Sequence, residues 1–342
     1  MNIAKNTCLS LILLSLTYLA FAQTQMANHD FEQWSTTTQD KALPKYWHSY
    51  GDGDCKLKGI YSWGCSLTTK DHSNRVAGHR GYGCEIFTKT LSGHTVNGVI
   101  TTGQMQFASA ETKSPDNYTY TDKDNKCGHH AAMAFTGRPD SVYFWCKFSM
   151  KAPSNVAKAV FLLHGDVRFK DHSTYTSATA QNGKIGNAFC NFKDRNDGKW
   201  HKYKFKFTYY DENNKVVSQS SRKPSYILAT FSTNRITGGG HNGDKLAIDD
   251  IEMIYNKRLS YIEINGERME GFNPDIHEYI LADEGDALMI VSAAAQSPHA
   301  TVNIEQPCLM NNHVARIIVT HDDGQSEYVI RFVQEEKICQ NN

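Results

Sequence analysis

The sequence predicts an all-β protein, and three features carry that prediction. The run 200–208, WHKYKFKFT, alternates aromatic with polar residues at period two, the pattern of a strand with one buried and one wet face. Turn-forming clusters such as Asn196-Asp197-Gly198 and Asp211-Glu212-Asn213-Asn214 bound the apolar runs. No segment beyond residue 22 sustains a 3.6-residue apolar period, so a β-sandwich architecture follows.

Taken in chain order, strands are expected at 142–148 (VYFWCKF), 159–163 (AVFLL), 200–208, 226–231 (YILATF) and 246–254 (LAIDDIEMI). Further on, 259–264 alternates into an Asn265-Gly266 turn, and short runs follow at 279–281, 287–291, 315–320 and 328–332, the last after Asp322-Asp323-Gly324. About six or seven short strands in roughly 80 residues match the strand count of an immunoglobulin-like sandwich.

Length and charge support two modules. At about 150 residues per domain, 342 residues predict two. Lysine plus arginine and aspartate plus glutamate both number 36, but they are not evenly spread. From Lys257 onward there are six basic and 14 acidic residues, whereas residues 23–256 carry a net charge of +7. The sign change places a boundary near 256/257. Overall neutrality without a block of like charge argues against nucleic-acid binding, and 40% hydrophobic content excludes a disordered scaffold.

Residues 1–22 read as a signal peptide: one cation, Lys5, then an apolar run from Leu9 to Leu19 too short to span a bilayer, then Ala20-Phe21-Ala22. The expected product is exported, whether periplasmic, cell-surface-associated or secreted, with no transmembrane anchor. Its eight remaining cysteines then face an oxidising compartment. Cys55–Cys65 is the preferred bridge in the first domain, and Cys308 and Cys339 are the two cysteines available to each other in the second.

Several catalytic and metal motifs fail on inspection. Residues 238–245 space two glycines like a phosphate loop, but Asp244 stands where lysine must meet phosphate. There is no GxSxG elbow and no HExxH zinc motif. Cys127 with His129, His130 and His164 lacks a second close ligand pair for zinc. Asp122 and Asp124 start a calcium-like loop, but Met133 replaces its bidentate glutamate. Of the five tryptophans, Trp34, Trp47, Trp145 and Trp200 are expected in the core. Trp63, with Tyr61, lies in a loop between Cys55 and Cys65 and could serve either as a flat sugar platform or as an apolar plug.

The segments 28–34 (NHDFEQW), 43–47 (LPKYW), 98–103 (GVITTG), 137–142 (GRPDSV) and 244–252 (DKLAIDDIE) resemble, in order and spacing, the carbohydrate metabolism domain family of Bacteroidetes over about 230 residues. The resemblance implies a jelly-roll β-sandwich like those of carbohydrate-binding modules over residues 23–256. It further implies a cadherin- or immunoglobulin-like β-sandwich over 257–342 and a role in polysaccharide recognition or utilisation. It carries over no catalytic residue. It does imply a structural Ca2+ at Glu32, Asp249 and Asp250, against the reading that these carboxylates accept backbone hydrogen bonds; no other cofactor is required. The expected partner is a poly- or oligosaccharide, with docking to cell-surface glycan-utilisation proteins. A glycoside hydrolase or lyase acting on similar glycans, or a structural cell-surface protein, are the alternatives.

Overall fold

The computed structural model describes residues 24–36, 42–59, 73–91, 93–128, 130–152, 154–172, 183–195, 197–283 and 289–334. Residues 1–22, expected to be a signal peptide, lie outside them. None of the described helices is long and apolar enough to cross a membrane.

The first domain is a β-sandwich. Its front sheet runs His201–Lys206, Ser141–Ser149, Lys245–Ile254, Tyr82–Phe87 and Ser73–Ala77, every neighbour antiparallel. The back sheet runs Met133–Ala134, Tyr226–Ser232, Val156–His164, Lys184–Lys193, Thr208–Tyr210 and Val216–Val217, with Val99–Thr101 also pairing on Tyr226–Ser232. The chain crosses between sheets after Ser149, Lys193 and Ser232, so consecutive strands supply both walls of one core.

Alternation decides what enters that core. Val142, Phe144, Cys146 and Phe148 of the front sheet meet Ala159, Phe161, Phe192 and Phe231 of the back. Phe144 stands edge-on to Phe231 with ring centres 5.0 Å apart, a favoured aromatic geometry. Trp47 is buried against Phe31, as expected, and Trp34 packs partly on the same core.

A third layer covers part of the back sheet. Val160 and Leu162 face away from the main core, yet they are buried with Leu228 and Phe169. A four-stranded sheet, Lys170–His172, Tyr118–Tyr120, Gln104–Phe107 and Asp54–Cys55, lies over them. Thr121 bonds His164 at 2.8 Å and ties this layer down.

The second domain has its own core of Leu259, Ile262, Ile317, Val319, Tyr328 and Ile330. Its sheets are Glu267–Arg268, Leu259–Ile264, Val291–Ala295 and Glu278–Ala282, Gly324–Val333, Val314–His321, Thr301–Glu305. The pair Glu278–Ala282 with Gly324–Val333 is parallel. Asn265 and Gly266 both adopt positive φ (51° and 85°), which a two-residue hairpin turn needs.

Candidate functional site

The outer face of the front sheet carries a row of rings. Tyr143, Trp145 and Lys147 alternate with the core residues of strand Ser141–Ser149 and stand half-buried on the far side. Trp200, just before the edge strand, reaches across to Gly83, where an added Cβ would lie 3.4 Å from the indole. Trp145 and Trp200 therefore do not belong to the core, contrary to the sequence expectation. Period-two alternation separates two faces but does not say which one is covered.

Each ring has a cationic or imidazole neighbour. Lys202 Nζ sits 3.4 Å from the Tyr143 centroid and Lys147 Nζ 5.3 Å from Trp200. His79 stacks on Trp145 at 3.7 Å and 11°. An exposed lysine over a ring contributes about 0.5–1 kcal/mol, little enough for an incoming sugar face to displace.

Beside this row the strand Lys245–Ile254 is bulged. Its register against Ser141–Ser149 shifts between Tyr143 and Trp145, and Asp250 adopts φ 46°. Ile248 and Ile251 both reach the core although they are three residues apart, so Asp249 and Asp250 both emerge on the outer side. There they meet the turn 78–81. Arg80 N–H donates to Asp249 Oδ2 (3.1 Å) and Asp250 N–H to Asp249 Oδ1 (2.8 Å). His79 Nδ1 lies 2.8 Å from Asp250 Oδ2, and Tyr82 N–H donates to Glu32 Oε1 at 2.7 Å. The turn requires glycine: a Cβ on Gly78 would lie 2.4 Å from Asp249 Oδ2, and Gly81 has φ +54°.

Glu32, Asp249 and Asp250 are thus gathered around one turn, but each faces an N–H donor or an imidazole. Among the described residues, no group of three histidine, cysteine or acidic side chains is arranged to hold a metal ion. As placed, the three carboxylates act as hydrogen-bond acceptors or face an imidazole. Burial pushes Asp249 up to about 6 against the hydrogen bonds that lower it. A carboxyl in that range could serve as a general acid, but Asp249 is fully buried beneath the turn and cannot reach a substrate.

A second feature lies where the domains meet, at the end of the same face. A cleft of about 680 Å³ opens between Ser141, Lys204, Lys206 and Tyr209 on one side and Lys257, Arg258, Ser297 and His299 on the other. The domains are clasped beside it. Arg138 forms two hydrogen bonds to Asp322 through its guanidinium, both 2.9 Å, and a third from its backbone N–H at 2.8 Å. Ser297, His321 and Asp140 cluster here, but not as a hydrolase triad. Ser297 Oγ donates to Asp140 at 2.6 Å, and His321 Nδ1 accepts Asp322 N–H at 2.7 Å. The His321 proton therefore sits on Nε2, which faces Asp140 and Ser297 and cannot take the serine proton. Burial raises the Asp140 carboxyl, and the bonds from His321, Ser297 and Asn256 more than reverse this, leaving it below its ordinary range.

Of the remaining expected residues, Tyr61, Trp63, Cys65 and Cys339 lie outside the described residues. Cys55 is disulfide-bonded, and Cys65 is its proposed partner. Cys308 is corrected: it is a free, exposed thiol heading the short turn Leu309–Asn311, its N–H held by Asn311 at 2.8 Å, rather than half of a bridge. His129 lies outside the described residues, and His164 is buried between Thr121 and the Gly165 carbonyl. Asp244, dismissed as a phosphate-loop residue, is a buried hub accepting bonds from Lys151, Asn155 and His241. The interdomain clasp had no sequence signal, because its members lie up to 184 residues apart.

No family model matches the chain, so the motif resemblance has no counterpart there, and no curated protein matches it. Among solved structures, a candidate glycoside hydrolase from Bacteroides vulgatus is similar at 12% identity and TM-score 0.44, over 68% of this chain and 98% of that one. One from Bacteroides thetaiotaomicron is similar at 12% and 0.42, over 68% and 71%. The family 11 carbohydrate-binding module of Clostridium thermocellum, in complex with a β-1,3-1,4-mixed-linked tetrasaccharide, is similar at 10% and 0.29, over 68% and 96%. At these scores the likenesses carry no argument, and the functional reading rests on this chain's own residues.

Proposed function

We propose that the chain is an exported, non-catalytic glycan-binding protein that takes part in polysaccharide recognition or utilisation, with the second, immunoglobulin-like sandwich as a spacer or docking module. The observation that carries this is the row Tyr143, Trp145 and Trp200 on the outer face of a rigid antiparallel sheet. Sugar rings present C–H faces that stack on such rings, while Lys202, Glu252 and Arg80 around the row offer partners for hydroxyls. The buried position of Asp249 and the donor pattern at Ser297 support binding without turnover. Trp63 and Tyr61, between Cys55 and Cys65, are proposed as further sugar-stacking rings. Affinity electrophoresis through gels containing single polysaccharides tests this. The wild type is expected to be retarded by at least one glycan, and Trp145→Ala to migrate freely. Release of reducing sugar from a retained glycan would refute the non-catalytic reading.

A further inference from the structure

We infer that the interdomain cleft is a distinct subsite for the acidic group of a saccharide, a uronate carboxylate or a sulfate. This rests on the glycan-binding reading and adds the charge class of the ligand. The cleft collects four cationic side chains, Lys204, Lys206, Lys257 and Arg258, against one carboxylate in its lining, Asp140. Asp140 already accepts Ser297 Oγ–H and Asn256 N–H and faces His321. Lys257 and Arg258 are paired with Asp323 and Asp275. Lys204 and Lys206 have no ion-pair partner among the described residues and stand exposed on alternate positions of strand His201–Lys206.

Behind the cleft wall, His299 carries a buried donor. His299 Nε2 accepts Ser220 N–H at 3.1 Å, so the ring proton of the neutral imidazole is on Nδ1. That Nδ1 is buried with no hydrogen-bond partner among the described residues. His277 lies flat on Tyr328 at 4.3 Å and 8°, giving the mouth a planar ring. The volume falls within the range of about 300–1,000 Å³ usual for small-ligand sites, which also favour domain interfaces. Unpaired cations favour a ligand that only accepts, and an anionic oxygen does so most strongly. Lysines also guard exposed edge strands against aggregation, and His201–Lys206 is an edge strand. The experiment separates the two roles.

The full-length protein is run through gels of polygalacturonate, alginate and heparin, and of neutral galactan and mixed-linked β-glucan, beside Lys204→Glu/Lys206→Glu and Trp145→Ala. Retardation by at least one acidic gel is expected, weakened at least tenfold by the double substitution and by added salt, with melting temperature unchanged. Retardation by heparin alone assigns the group as sulfate, and by the uronates alone as carboxylate. Retardation only by neutral gels, lost in Trp145→Ala and kept in the lysine variant, overturns the cleft assignment and leaves the aromatic platform standing. Acidic retardation lost in the lysine variant but kept in Trp145→Ala does the reverse. Loss of solubility in the lysine variant with unchanged glycan retardation assigns the lysines to edge protection and overturns the proposal, as does no retardation by any gel.

Discussion

His164 makes the first domain acid-labile in a way that can be isolated. Its imidazole is fully buried between the back sheet and the third layer. Nδ1–H donates to the Gly165 carbonyl at 2.8 Å, and Nε2 accepts the Thr121 hydroxyl at 2.8 Å. Burial lowers its pKa from 6.5 to about 4. The folded state therefore keeps the ring neutral while the unfolded chain takes up a proton below about 6.5, so this stability is complete above that pH and is lost toward pH 4. An interval of about 2.5 pH units at about 1.4 kcal/mol per unit gives a loss of about 3 kcal/mol. Urea unfolding of wild type and His164→Gln at several pH values from 7.5 to 4 measures it. Carboxylates common to both proteins cancel in the difference, and the wild type is expected to lose about 3 kcal/mol more than the variant. Parallel curves for the two proteins would refute the reasoning.

Other consequences follow from named contacts. Asp322→Ala strands the largely buried Arg138 guanidinium and is expected to cost about 2–3 kcal/mol. It should also split calorimetric unfolding into two domain transitions. Gly81→Ala forces a positive φ of +54° on a residue with a Cβ and drives that Cβ into Glu32, so a loss of at least about 1–2 kcal/mol is expected in thermal melts. Because Glu32, Asp249 and Asp250 face N–H donors or an imidazole, the melting temperature is expected to be the same in EDTA and in millimolar calcium. A rise of several degrees with calcium would restore the metal reading. Phe144→Ala, which empties the centre of the sandwich, should cost about 3–5 kcal/mol by the same assay.

The sequence is most informative where periodicity and burial coincide. Tyr203 and Phe205 pack on the core while Lys202, Lys204 and Lys206 stand exposed, as the alternation of 200–208 predicts, and Asn265-Gly266 turns where its chemistry requires. The third layer has a sequence signal: the unbroken apolar run 159–163 is what two-sided burial produces, and Val160 and Leu162 are covered on the far side. Trp145 and Trp200 were misplaced because a motif position says nothing about which sheet face meets solvent. The bulge that turns both Asp249 and Asp250 outward depends on a left-handed φ at Asp250, which aspartate tolerates but no local pattern announces. The cleft was invisible because Lys204 and His299 come together only when two domains dock.

The central claim is that the ring row of the front sheet holds a glycan without cleaving it. Isothermal titration of the best-retained soluble oligosaccharide into wild type and Trp145→Ala, with reducing ends assayed in the recovered ligand, tests it most directly. The account predicts at least a tenfold loss of affinity in the variant at unchanged fold, and intact oligosaccharide from both proteins. Equal affinity in the two proteins, or shortened oligosaccharide from the wild type, would contradict it.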